Sequence, residues 1–135
     1  MRRSRVAVIA AAGLGVCGNI MAAGSAAVQV SLPDAKAPGG ATLFKQQCAT
    51  CHTTNSSDPP RQGPNLFNIV GRKAGKVDGF RYSPNFASAD FVWDDNKLDA
   101  WLTDPQALIA GAIMPYRQPK PGVRMAIISY LKELH

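Results

Sequence analysis

Five residues, Cys48-Ala49-Thr50-Cys51-His52, constrain this chain more than any others. Two thiols three positions apart share one helical turn, and an imidazole follows directly. A C-x-x-C-H run can add both thiols to the vinyl groups of a haem as thioethers. The adjacent imidazole is then carried under the macrocycle, within reach of iron. Covalent links of this kind hold a haem in a domain too small to enclose it fully. The chain is small: 135 residues, 46% hydrophobic and 18% charged. That is enough for one ordered domain and leaves little room for a second.

Other uses of these residues fit less well. A structural zinc site needs four ligands, usually two separated pairs. Beyond the N-terminal segment only Cys48, Cys51, His52 and the terminal His135 remain. A thioredoxin-like redox pair needs a βαβ setting, which the pattern does not offer. A plain disulfide between Cys48 and Cys51 would close a very tight loop.

The third cysteine, Cys17, belongs to a different part of the chain. Arg2, Arg3 and Arg5 form a positive start, no charge occurs from Val6 to Leu32, and Ser25-Ala26-Ala27 offers a small-residue cleavage site before Val28. Residues 1–27 therefore read as an export signal. The uncharged run is also long enough to serve as a retained membrane anchor, although its glycines, Asn19 and Ser25 lower its apolarity. Lipoprotein acylation at Cys17 is disfavoured by the bulky Val16, and the residues after Arg2-Arg3 do not support twin-arginine export. Removing the segment changes the meaning of the charge. The formal +6 becomes twelve basic against nine acidic residues, or +3, with no later Lys/Arg run. Nucleic-acid binding has a weak basis.

Residues 28–38, with Pro33 and Pro38, read as a linker, and residues 39–135 as the folded domain. Leu43, Phe44, Gln47 and Cys48 fall at helical spacing. His52–Pro64 is rich in polar residues, Pro and Gly and reads as loop. Leu66–Val70 is a short apolar run closed by Gly71, and a glycine-punctuated loop continues to Tyr82. Asp94-Asp95 supplies a cap and first-turn charge for a helix placing Leu98, Trp101 and Leu102 on one face and ended by Pro105. Pro121 or Gly122 opens a last helix with Val123, Ile127, Tyr130 and Leu131 as its apolar stripe. No long alternating pattern or internal repeat occurs. The expected class is an all-α domain whose long loops wrap round something they need for packing.

The other side of the iron decides the chemistry. An open position suits gas or peroxide chemistry, whereas a filled one suits electron transfer. The candidates are Met114, Met125 and His135. Met125, on the last helix, reads as a core or half-buried side chain, and His135 as a fraying terminus. Met114 lies in an apolar stretch between two helices, where no helical stripe requires it. Gap-filling by a methionine is the plain alternative. His/Met ligation stabilises ferrous iron.

Taken together, these residues resemble class I cytochrome c of the mitochondrial and bacterial cytochrome c2 type, from Gly40 to Leu134. The resemblance implies the small monohaem cytochrome c fold and one haem c bound through Cys48 and Cys51. It implies iron ligated by His52 and Met114, with no catalytic residue. Gly40 and Phe44 stand where the family packs its first helix on its last, with Ile127 and Tyr130 as partners. Gly63-Pro64-Asn65-Leu66 matches the loop whose proline carbonyl orients the axial histidine, so Pro64 would hold His52. Arg72, Tyr82 and Trp93 match the positions of propionate partners; a solvated loop charge and two packing residues are the plain alternatives. Asp104-Pro105 through Met114 matches the approach to the methionine ligand.

The departures carry their own expectations. Trp101 stands where many relatives have tyrosine, and an indole N–H donates but cannot accept. Ala110 and Ala112 replace a proline and a hydroxyl residue, which would loosen the methionine loop. Phe86 replaces a polar residue and would dry the pocket. Gln47, Gln106 and Ala107 stand where lysines are frequent, which favours a partner found with less charge steering. The expected function is a monomeric, periplasmic one-electron carrier. It would dock transiently with a donor complex or dehydrogenase and with a terminal oxidase or other acceptor, touching a membrane only if residues 1–27 are retained. The rivals are an open-haem enzyme or sensor and a fixed subunit of a membrane assembly.

Overall fold

A computed structural model describes residues 39–135; the expected export signal 1–27 and expected linker 28–38 lie outside the described residues. Five helices follow in order: α1 (Gly40–Gln47), α2 (Pro84–Ala87), α3 (Asp95–Thr103), α4 (Pro105–Leu108) and α5 (Pro121–Lys132). Among the described residues the only strand-like pairing is an isolated antiparallel bridge between Lys73 and Val92. The domain is all-α, as its pattern suggests.

Eight residues are too few for α1 to be stable alone in water. Its helicity comes from burying Leu43 and Phe44 against α5. The closest approach is at Gly40. A Cβ there would lie 2.0 Å from the Ala126 carbonyl oxygen and 2.8 Å from the Tyr130 Cβ. Phe44 completes the contact, its ring centroid 5.3 Å from that of Tyr130. Tyr130 is thus the partner expected from sequence, while the backbone of Ala126 is what Gly40 meets. Ile127 lies deeper, 1% exposed, in the common core with Leu98, Leu102 and Leu131.

The start of α3 is set by Asp94, whose carboxylate accepts from the Lys97 N–H at 2.7 Å; such a cap is worth about 1 kcal/mol. Its buried face is Leu98, Trp101 and Leu102. Pro105 ends α3 as expected but also opens α4. Asp104 closes one helix and caps the next, accepting from the Gln106 N–H at 3.0 Å. Proline fits the first helical position because its missing N–H would have no partner there. Neither α2 nor α4 is visible as periodicity, since four residues are too short to repeat.

Arg124, Ile127, Ile128 and Leu131 are buried on α5, with Val123 and Tyr130 half-buried. The arc is wider than the expected stripe because α5 packs on α1 and α3 together. Met125 points away from it, 65% exposed, which corrects its reading as a core or half-buried residue. Arg124 is only 8% exposed. Its Nε lies 2.7 Å from Asp99 Oδ1 on α3, a second nitrogen 3.3 Å from Asp99 Oδ2, and a third donates to the Gln118 carbonyl at 2.9 Å. The planar guanidinium fork suits this two-point grip on a carboxylate.

The Gly40 contact generates a stability prediction. Gly40→Ala forces the two helices apart, and overpacking of this kind costs about 1–3 kcal/mol. The denaturant midpoint of the holoprotein should fall with an unchanged slope; a wild-type midpoint would show that the helices are not clamped at this point.

Candidate functional site

The end of α1 places the cysteine motif. Cys48 N–H still bonds to the Phe44 carbonyl at 2.8 Å, and the next turn closes with His52 N–H on the Cys48 carbonyl at 3.0 Å. Cys48, Cys51 and His52 consequently line one cavity of about 760 Å³. That falls within the ~300–1,000 Å³ usual for pockets enclosing an organic ligand. The two thiols are free, with Cys51 Sγ 3.3 Å from Gln62 Oε1. Burial and then the nearby Cys51 push the Cys48 thiol up to about 11. It keeps its proton at neutral pH, unlike a thiol poised for disulfide exchange. Among the described residues no three His, Cys, Asp or Glu side chains gather as a metal-holding group, so the zinc alternative finds no support there.

His52 has only one free nitrogen. Its Nδ1 lies 2.8 Å from the Pro64 carbonyl oxygen. A carbonyl only accepts, so Nδ1 carries the hydrogen and Nε2 the lone pair. Burial holds the ring below its ordinary value, with the Pro64 bond acting the other way. The imidazole is therefore neutral at pH 7 and able to bind a metal. One ring face rests on Gly63, where a Cβ would come within 2.3 Å of Cε1 and 2.6 Å of Nδ1. The loop that supplies Gly63 and Pro64 is tied by buried Asn65. Its Nδ2 donates to the carbonyls of Asn55 at 2.7 Å and Asp58 at 2.9 Å, and its Oδ1 accepts from Phe67 N–H at 2.7 Å. Sequence reading quoted Asn65 only as part of a motif.

Met114 lines the same cavity, whereas Met125 and His135 do not. Its segment has no regular structure yet is well tied. Gln106 Nε2 donates to the Ala112 carbonyl, and Gln106 Oε1 accepts from Gly111 N–H at 3.0 Å. Asn85 Nδ2 donates to the Ala110 carbonyl at 2.8 Å. The carbonyls of the two alanines expected to loosen the loop thus both accept from side chains of neighbouring helices.

An aromatic wall completes the cavity. Tyr82 stacks on Phe86 at 4.7 Å, Phe86 meets Trp101 edge-on at 5.2 Å, and Trp101 meets Trp93 edge-on at 5.7 Å. All four line it. Edge-to-face and offset contacts are the favoured geometries for such rings. Trp93 is fixed by its backbone, donating to the Arg72 carbonyl at 2.9 Å and accepting from Gly71 at 2.8 Å.

Arg72 is placed differently from the other expected residues. It lines a smaller hollow of about 220 Å³ that shares Pro60 with the main cavity. Its terminal nitrogens donate to the carbonyls of Phe67 and Asn65, both at 2.8 Å. Among the described residues two buried side-chain polar atoms have no protein partner, Arg72 Nε and Ser83 Oγ. Ser83 lines the main cavity and was missed in the sequence; the available signal was a hydroxyl directly after Tyr82. Burial raises the Tyr82 phenol, and the nearby Arg72 charge opposes that rise. Buried donors left bare cost about 1–3 kcal/mol each. Here they suit a ligand bearing carboxylates. Two thiols, one free imidazole nitrogen, an apolar aromatic wall and unpartnered donors together fit a covalently attached haem.

An all-α shell built round such a cavity defines a c-type haem protein, and comparison with known sequences agrees. The cytochrome c family matches residues 37–135. Cytochrome c of Theileria annulata is 40% identical over 105 residues, covering 77% of this chain and 90% of that protein. Cytochrome c-550 of Novispirillum itersonii is 37% identical over 106 residues, covering 70% and 95%. Cytochrome c of Sesamum indicum is 35% identical over 102 residues, covering 75% and 92%. The chain belongs to the cytochrome c family, of the class I type. It binds one haem c covalently through Cys48 and Cys51. It is an electron-transfer protein rather than an enzyme, and it acts through transient contacts with redox partners.

Proposed function

We propose that this protein carries single electrons with its iron held between His52 Nε2 and the Met114 sulfur. It would work outside the cytoplasm between a donor complex or dehydrogenase and an acceptor such as a terminal oxidase. One observation carries the reading: both cysteines, a histidine with its other nitrogen already engaged, and Met114 all line a single cavity. The haem supplies a ferric/ferrous couple. His52 is presented neutral and oriented by Pro64, which limits ring rotation and tunes its strength as a ligand. Met114 brings a soft, uncharged thioether that favours the ferrous state. With His52 and Met114 both holding the iron, little of the protein would have to move when its charge changes.

The remaining residues serve the same end. Tyr82, Trp93, Arg72 and Ser83 would meet the haem carboxylates, which cost several kcal/mol if buried without partners. Arg72 Nε and Ser83 Oγ are the donors left free for that purpose. Trp101, a donor only, and Phe86 would keep the methionine side dry, so that electrostatic effects on the iron are weakly screened.

Recognition of partners would rest on shape more than charge. Only Arg61, Arg81 and uncharged residues join the neutral His52 in lining the cavity, and Ile113 beside Met114 is 80% exposed.

Four measurements test these points. The ferric holoprotein should show the weak far-red band of iron–thioether bonding, and carbon monoxide should leave the ferrous spectrum unchanged. Met114→Ala should lower the potential and open the site; an unchanged spectrum and potential would exclude Met114 as ligand. The bimolecular rate with an acidic redox protein should fall less than about threefold between about 0.01 and about 0.15 M ionic strength, against the tenfold or greater losses of steered pairs. Finally, the protein recovered after expression should begin at Val28 and be released with the periplasm; an intact N-terminus in membranes would instead identify a tethered subunit.

A further inference from the structure

One cluster on the rim of the cavity has no part in the function described so far. Gln47 is the last residue of α1, directly before Cys48. Tyr116 lies two residues beyond Met114, and Gln118 two beyond that. Their side chains form a closed triangle of hydrogen bonds. The Tyr116 hydroxyl donates to Gln47 Oε1. Gln118 Nε2 donates one hydrogen to Gln47 Oε1 and the other to the Tyr116 oxygen, both at 2.9 Å. Gln47, Met114 and Tyr116 all line the cavity.

Gln118 is anchored at every other polar atom. Its N–H donates to the Leu102 carbonyl on α3 at 2.7 Å. Its carbonyl accepts from Arg124 on α5 at 2.9 Å, and its Oε1 accepts from Lys120 N–H at 3.1 Å. Arg124 is in turn fixed by Asp99. The triangle therefore joins the attachment end of α1 to the methionine segment, and it is braced from α3 and α5. Upstream of Met114 the segment is tied at residues 110–112 by Asn85 and Gln106. Between the two sets of ties lies 113–115, with Ile113 80% exposed. A short span pinned on both sides can swing away only if one set of ties breaks.

We propose that Gln47, Tyr116 and Gln118 form a clasp that keeps Met114 over the haem and so controls how fast a foreign ligand reaches the iron. They are positioning residues, acting through Met114, and the inference rests on Met114 being the axial ligand. Loss of hydrogen bonds from a part-buried cluster has a net free-energy cost. That cost falls on the closed state of the segment and makes opening more frequent.

The test uses ferric holoprotein with imidazole as the incoming ligand, followed by stopped flow. Tyr116→Phe keeps the ring and removes the donor. Gln47→Ala removes the shared acceptor, and Gln47→Glu keeps an acceptor oxygen. Tyr116→Phe and Gln47→Ala should take up imidazole about tenfold faster than wild type, equivalent to about 1.4 kcal/mol. Both should retain the far-red iron–sulfur band before imidazole is added, and Gln47→Glu should return close to the wild-type rate. The clasp is overturned if the variants lose global stability while imidazole enters at the wild-type rate, because the triangle then merely ties α1 to the fold. Should Tyr116→Phe not fold, the Gln47→Ala and Gln47→Glu pair decides the matter alone. A wild-type protein that lacks the far-red band and takes up imidazole as fast as Met114→Ala overturns the methionine ligation and the clasp together. A band present with unaltered variant rates overturns only the clasp.

Discussion

The contact between α1 and α5 at Gly40 is the constraint on which the rest depends. An eight-residue helix has no stability of its own, so α1 exists because it is pressed against α5. The cysteine turn begins where α1 ends, and its first bond is still to Phe44 on that helix. The positions of both thiols and of His52 therefore follow from how closely the two helices approach. Gly40 sets that approach, since any larger residue would meet the carbonyl of Ala126. A packing contact at the start of α1 thus governs the placement of the thiols and the imidazole that follow its end.

The segments that carry His52 and Met114 use one solution to the same problem. Neither the loop after His52 nor the segment around Met114 has regular structure, and irregular backbone near a core needs partners for its polar groups. In the first, Asn65 supplies them from inside the loop. In the second, Gln106 and Asn85 supply them from neighbouring elements. Amide side chains suit this work because each offers both a donor and an acceptor without a charge to bury. The same preference leaves Arg61 and Arg81 as the charged residues among those that line the cavity. Gln47 shows this directly: its amide turns inward to bond Tyr116 and Gln118 of the methionine segment.

Much of the site was legible in the residues because local chemistry fixes it. Cys48, Cys51 and His52 are adjacent in the chain, so one turn brings them together whatever the rest does. Asp94 caps its own helix within three residues, and Pro105 and Pro121 mark helix boundaries through a missing N–H. Met114 stood out as a methionine that no helical stripe required. Family resemblance singled out Pro64 as orienting the histidine and Arg72, Tyr82 and Trp93 as propionate partners; Pro64, Tyr82 and Trp93 line the cavity, and Arg72 sits in the hollow beside it.

Other features were decided only in three dimensions. The sequence by itself determined the class of domain, its cofactor chemistry and the main helix boundaries, since each rests on neighbours a few residues apart. Tertiary structure decided that Met125 faces solvent, because α5 is wedged between two helices and its apolar arc is rotated accordingly. It decided that Arg124 is buried, because Asp99 from a helix twenty-five residues earlier arrives to pair with it. It also brought Gln47 to Tyr116 and Gln118 across about seventy residues of chain. No periodicity announces such pairs. A polar residue shows in sequence only that it can bond, and its partner is chosen by how the helices pack.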